Sequence, residues 1–148
     1  VTADVRDILA LPEGHPPGAG VLLDAPCSGL GVLNRRADLR WKRTPADING
    51  LIKLQTQLLD KAGRLTAPGG RLVYSTCTIN RNENQAIVSE FLRRNPTFVL
   101  EDFTGDMGGF PLDAQDKKDA QAGMLTLLPG KYQTDGMFYA KMRRMAGE

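Results

Sequence analysis

Two cysteines stand fifty residues apart in this chain, Cys27 and Cys77, and each follows a short apolar run. The first run, Val21-Leu22-Leu23-Asp24, leads into Ala25-Pro26-Cys27-Ser28-Gly29. The second, Arg71-Leu72-Val73-Tyr74, leads into Ser75-Thr76-Cys77-Thr78. Each thiol thus has a hydroxyl neighbour and an expected place just past the carboxyl end of a strand, where open α/β sheets bind ligands. A thiolate is a strong nucleophile. The spacing is far from a CxxC metal or redox motif, and no metal site is expected. His15 is the only histidine and sits in the loop PEGHPPGAG, so a cysteine–histidine hydrolase lacks a credible partner. What remains is nucleophilic thiol chemistry, set against the plain alternative that a free cysteine is a small buried hydrophobe.

The elements that must position these thiols read as an alternation of strands and helices. Val21 to Asp24 is an apolar run ending in an acid and is expected to be buried on both faces. Thr44, Pro45 and Asp47 form a helix start, followed by Ile48, Leu51, Ile52, Gln55, Leu58, Leu59, Ala62 and Leu65 at three- and four-residue steps. Pro68-Gly69-Gly70 is the expected stop, and Arg71 to Thr76 the next buried strand. A second helix is expected from near Asn80, with Glu83 completing a capping box. Thr97–Leu100, Met124–Leu128 and Met137–Met142 read as further strands, and residues 101–123 as irregular. This order predicts an α/β fold, a mostly parallel sheet finished by an antiparallel hairpin. The strand–helix–strand connection between the cysteines brings both thiols to one rim.

Composition narrows the class without choosing a function. Of 148 residues 41% are hydrophobic and 24% charged, which excludes collagen-like, disulfide-framework and disordered chains. No run approaches a membrane span and no signal-peptide layout opens the chain, so a cytoplasmic protein with reduced thiols is expected. The net charge of +2 is too small for a global argument for nucleic acid, leaving only local clusters to make one.

The motifs DAPCSG and YSTCT resemble the two cysteine motifs of the RNA cytosine carbon-5 methyltransferases. The likeness continues through GLGVLNRRADLRWKR, LQTQLLDKA, PGGRLVYSTCTINRNEN and DGMFYAKM, and so covers nearly the whole chain. It is nearest to the bacterial RsmB (Sun or Fmu) type, which acts on 16S ribosomal RNA. The resemblance implies a Rossmann-like, S-adenosylmethionine-dependent enzyme. It assigns Cys77 as the nucleophile that attacks carbon 6 of cytosine, and Cys27 as the thiol that assists proton removal and product release. Spacing alone does not say which thiol attacks. Asp24, Asp4 and Pro26 carry over as cofactor-binding residues, with Asp7 a local competitor of Asp4.

Arg35, Arg36, Arg40, Trp41, Lys42 and Arg43 follow the first motif directly and gather five basic residues with the only tryptophan. As an RNA-binding wall they would neutralise phosphates and stack on a base. The plainer alternative is a solvated surface with Trp41 packed inward. Lys141, Arg143 and Arg144 read as a solvated terminus.

The family's glycine-rich cofactor loop and N-terminal RNA-binding domain are not found in residues 1–148. The chain is therefore expected to be the C-terminal, cysteine-bearing part of the catalytic domain, with an incomplete cofactor site and no activity alone. The edge of the Val21–Asp24 strand is expected to be open and prone to self-association. A non-catalytic RNA-binding or interaction module keeping the fold is the rival reading.

Overall fold

The computed structural model describes residues 6–147 except Glu13 and Arg43. Five strands form one sheet: β1 (Gly18–Asp24), β2 (Thr66–Thr76), β3 (Phe98–Leu100), β4 (Met124–Leu127) and β5 (Met137–Arg144). Four helices accompany them: α1 (Leu39–Lys42), α2 (Pro45–Arg64), α3 (Gln85–Arg94) and α4 (Ala114–Gln121). The sheet order is β1-β2-β5-β3, with β4 also paired to β5. β1 and β2 are parallel, while β2, β3 and β4 all run antiparallel to β5. Four strands therefore share one direction and only β5 is reversed, the expected parallel sheet with a closing hairpin.

The start of α2 is built as its residues dictate. The Thr44 side chain accepts from the Asp47 amide while Asp47 accepts from the Thr44 amide, and Pro45 occupies the first turn. Leu58, Leu59 and Ala62 of α2 pack with Ile87, Val88 and Phe91 of α3 against Leu72, Tyr74, Phe138, Ala140 and Met142 of the sheet. Gly63 lets the two helices close. A Cβ there would meet the Phe91 ring at 2.8 Å. The helix accepts the roughly 1 kcal/mol cost of an interior glycine in return for that approach. Phe91 in turn meets Phe98 edge-on at 5.1 Å between centroids.

Several boundaries differ from the sequence expectation. Pro68-Gly69-Gly70 does not stop α2, which ends at Arg64; it forms a bulge inside β2. The register jumps from Gly18↔Thr66 to Gly20↔Arg71. Gly69 supplies a φ of +77°, and a Cβ on Gly70 would lie 2.9 Å from the Ala19 carbonyl oxygen. β1 begins at Gly18, within the expected connector, because its amide reaches the Leu65 carbonyl at 2.7 Å. Nor is β1 buried on both faces: Leu22 is 72% exposed, and β2 is the one strand partner of β1 among the described residues.

The segment expected to be irregular holds a short 3-10 turn and α4. Asp113 caps α4 by accepting from the Asp116 amide. The polar sequence AQDKKDAQ has no apolar period to announce this helix. β3 and β4 are two parts of one lane along β5, since Leu100 pairs Met142 and Met124 pairs Ala140. Residues 101–123 leave and rejoin that lane. Lys141, Arg143 and Arg144 lie in β5. Lys141 pairs with Glu101 and Asp106, Arg143 with Glu101, and Arg144 donates to the Thr66 carbonyl. They are strand residues with partners, not a solvated tail.

Among the described residues, no helix is long and apolar enough to cross a membrane.

Candidate active site

β1 and β2 end side by side, with Asp24 opposite Ser75, and the Ala25 amide extends their ladder to the Ser75 carbonyl at 2.9 Å. The next turn of chain on each strand brings Cys27 and Cys77 together, Sγ to Sγ, at 3.3 Å. Both thiols are half-buried. Burial and the hydrogen bond to Cys77 push the Cys27 thiol up to about 12 from an ordinary 9.0. A desolvated thiolate beside a second sulfur is disfavoured, so Cys27 keeps its proton at neutral pH.

The residues flanking both cysteines are tied into one buried network. Glu83 is at its centre, with 0% of its surface exposed. It accepts from the Ser28 amide at 2.8 Å, the Ser28 hydroxyl at 2.6 Å, Gln55 Nε2 at 3.1 Å and Asn80 Nδ2 at 3.0 Å. Gln55 Nε2 also donates to the Pro26 carbonyl at 2.8 Å. The Thr78 and Ser28 hydroxyls lie 2.9 Å apart. The Thr76 hydroxyl donates to Asn84 Oδ1 at 2.6 Å, and Asn84 Nδ2 donates to the Thr78 carbonyl at 2.8 Å. Burial raises the ionisation of Tyr74 far above its usual range, so its hydroxyl stays a donor, here to the Glu83 carbonyl at 2.8 Å.

Glu83 therefore does not form the expected capping box. α3 begins two residues later, and its N-cap Asn84 makes no side-chain cap hydrogen bond because its amide serves the cysteine loop instead.

A backbone clasp closes the other side. The Gly31 amide donates to the Cys77 carbonyl at 2.9 Å, and the Gly136 amide donates to the Gly31 carbonyl at 2.8 Å. A Cβ on Gly31 would sit 2.1 Å from the Gly136 carbonyl oxygen. The preceding turn holds Tyr132 and Gln133 both at φ 57°, a left-handed conformation unusual for side-chain-bearing residues. Beside this clasp a cleft of about 720 Å³ opens on the sheet face opposite α2 and α3. Arg35, Asp135, Val73, Phe103, Tyr139 and Lys141 are among its walls.

The other residues singled out from the sequence are placed as follows. Asp24 is exposed, not buried, and one of its oxygens accepts from the Ser75 hydroxyl at 2.8 Å. Pro26 is exposed beside it. Asp4 and Arg43 lie outside the described residues. Arg36 and Arg40 are exposed, Arg35 pairs with Asp135 at 3.0 Å, and Lys42 pairs with Asp38 at 3.0 Å. Trp41 is 86% exposed, which overturns the inward-packed alternative; Leu39 is the residue that anchors α1. The structure thus brings Asp24, Pro26, Cys27 and Cys77 to one rim and leaves the basic segment as a separate exposed wall.

Sequence reasoning missed Glu83, Gln55, Asn84, Gly31 and Gly136. Gln55 did carry a signal: it is the polar residue in an otherwise apolar helical stripe, and it is fully buried.

The 16S rRNA methyltransferase RsmB/F family matches residues 3–143. A probable ribosomal RNA small subunit methyltransferase B of Synechocystis is 43% identical, over 83% of this chain and 26% of its own length. Ribosomal RNA small subunit methyltransferase B of Xanthomonas campestris is 42% identical over 93% of this chain and 29% of its own. Ribosomal RNA small subunit methyltransferase F of Klebsiella pneumoniae is 39% identical over 93% of this chain and 27% of its own. The chain thus spans between a quarter and a third of the length of these relatives. Among solved structures, NSun6 from Pyrococcus horikoshii with SFG superposes at a TM-score of 0.75 with 30% identity, over 96% of this chain and 34% of that one. PH0851 superposes at 0.76 with 34% identity, over 93% of this chain and 29% of that one.

Proposed function

The chain belongs to the 16S rRNA methyltransferase RsmB/F family, and from that premise we propose that it carries the thiol machinery for methylating carbon 5 of a cytosine in 16S ribosomal RNA. The observation that carries this reading is the pair of sulfurs 3.3 Å apart at the rim of the sheet.

Carbon 5 of cytosine is a poor nucleophile. Cys77, after losing its proton to solvent, adds its thiolate to carbon 6, and carbon 5 then behaves as an enamine carbon. S-adenosylmethionine, when bound, supplies an electrophilic methyl group to that carbon. SFG, the ligand in the archaeal NSun6 structure, is an analogue of S-adenosylmethionine and supports this choice of donor. From this chain Asp24 and Pro26 would hold the donor or the base beside it. The fit rests on Asp24, whose exposed carboxylate commits one oxygen to Ser75 and leaves the other to a ligand's N–H or O–H. Asp4 is proposed for the same site.

Release needs two proton movements, and Cys27 suits both. Its S–H passes a proton to the departing Cys77 sulfur while its own sulfur takes the proton from carbon 5. The electrons of the broken C5–H bond restore the C5–C6 double bond and expel Cys77. Cys27 ends protonated, as it began. A target base in folded RNA must be splayed out to reach these sulfurs, and Arg35, Arg36, Arg40, Trp41, Lys42 and Arg43 are proposed to hold the strand beside it. The lane of β1 that faces away from β2 is proposed to self-associate. A single monomeric species in sedimentation at high concentration would refute that.

RNA containing 5-fluorocytosine tests the assignment in the full-length protein, since fluorine cannot leave as the proton does and the adduct persists. Trapping is expected to vanish on Cys77→Ala and to survive Cys27→Ala. The opposite pattern would reverse the two roles.

A further inference from the structure

We infer that Glu83 is a positioning residue for the two thiols: its carboxylate clamps the loop of Cys27 to the loop of Cys77 and thereby sets the sulfur–sulfur distance. The inference rests on the reaction proposed above, and its test separates the two.

The Cys27 thiol is tethered by the Cys77 thiol and by the Gly29 and Cys77 amides, so its placement depends on its neighbours. Ser28, next to Cys27, gives Glu83 both its amide and its hydroxyl. Pro26, on the other side of Cys27, is held through Gln55, which donates to Glu83 as well. On the Cys77 side, Asn80 donates to Glu83, and Thr78 reaches the same Ser28 hydroxyl. One carboxylate therefore contacts three pieces of chain distant in sequence: the loop after β1, the middle of α2 and the loop after β2.

Stability alone is a poor reason for this arrangement. A buried carboxylate must offset a large desolvation cost, and well-packed apolar groups usually serve a core as well or better. The same residue stands two places before α3, where an exposed acid would stabilise the helix end at little cost. It is instead turned inward, and α3 starts without a side-chain cap. What the carboxylate provides that an apolar group does not is directional fixing of both loops from opposite sides.

Glu83→Gln preserves shape but breaks the clamp in either orientation. One oxygen faces the Ser28 amide and Gln55, and the other faces the Ser28 hydroxyl and Asn80. An NH₂ group on the first side points a donor at two donors; on the second it points one at Asn80 Nδ2 and forces the Ser28 hydroxyl to turn round and accept.

The test uses the full-length protein and phenylarsine oxide. This trivalent arsenical exchanges its oxygen for two As–S bonds, releasing water, and needs neither RNA nor S-adenosylmethionine. Glu83→Gln is expected to weaken this bridging by at least about tenfold, because the second thiol no longer sits at its high effective concentration. It is also expected to lower kcat by about 10²-fold with KM for RNA unchanged, the cost of misplacing a reacting group by about 1 Å. Ser28→Ala, which removes one arm of the clamp, is expected to move both readouts in the same direction by less, and decides the matter if Glu83→Gln does not fold. A folded Glu83→Gln protein with wild-type arsenical affinity, or with wild-type kcat and only a lower melting temperature, overturns the inference. Full methyl transfer by Cys77→Ala would sink the reaction proposal while leaving the arsenical result to judge Glu83 alone.

Discussion

The cysteine rim and the basic wall lie next to each other in the chain yet are built by opposite rules. At the rim, Ser28, Thr76, Thr78, Glu83 and Asn84 are all buried, and their side chains are hydrogen-bonded to one another. On the wall, Arg36, Arg40, Trp41 and Lys42 are exposed, and the ion pairs seen there, Arg35–Asp135 and Lys42–Asp38, are surface pairs weakened by solvent screening. On the function proposed above, the rim would be fixed before substrate arrives, and the wall would meet a flexible polyanion with adaptable side chains. A substitution at the rim should therefore damage turnover, and one on the wall should damage affinity.

The strongest way to break that contrast is at the backbone clasp. Gly31→Ala forces a methyl group against the Gly136 carbonyl and to 2.8 Å from the Cys77 carbonyl oxygen, so the backbone at Cys77 or Gly136 must shift. Its kcat is expected to fall by about 10²-fold, with a stability loss of about 1–3 kcal/mol. Unchanged turnover in steady-state kinetics would mean the rim tolerates movement.

Trp41→Ala probes the other side. Without its stacked base, RNA binding should weaken by about 1–3 kcal/mol at unchanged kcat. Arg36→Ala with Arg40→Ala should flatten the salt dependence of binding, by about one unit of slope for each phosphate no longer neutralised. Filter-binding titrations at several salt concentrations check both. A fall in kcat with full affinity would move this wall into the catalytic machinery.

The smallest expected effect concerns pH. The folded state raises the ionisation of Cys27 from 9.0 to about 12, so its protonated form stabilises the fold fully below about pH 9. That contribution is lost as the pH climbs through the folded value. Melting temperatures should drop between pH 9 and 12 less steeply in Cys27→Ala than in the wild type. Parallel curves would place the alkaline loss elsewhere.

Much of the frame was legible because local rules and tertiary packing agree there. Thr44-Pro45-Asp47 starts a helix for reasons contained in three residues, and the apolar runs before Cys27 and Cys77 end where strands end. The hairpin of β4 and β5 was legible for the same reason. Pro68-Gly69-Gly70 misled because the residues that stop a helix also make a bulge, and only the neighbouring carbonyls of Gly18 and Ala19 decide between them. Glu83 misled because Asn80-x-x-Glu83 is the spacing of a capping box, while the donors that claim the carboxylate sit at Ser28 and Gln55, far away in sequence. α4 has no apolar stripe, and its cap at Asp113 is a single residue in a polar stretch. At the site, residue types identified the thiols, but not the network that holds them.

In the proposed reaction Cys77 bonds to the base and Cys27, kept protonated, releases it. The most direct measurement mixes the full-length Cys27→Ala protein with S-adenosylmethionine and ordinary, unfluorinated substrate RNA, then maps any covalent adduct by peptide mass spectrometry. An adduct is expected to accumulate on the peptide carrying Cys77, with methylated cytosine attached, because attack and transfer proceed while release stalls. Fast turnover with no adduct, or an adduct on Cys27 in the Cys77→Ala protein, would overturn these two roles.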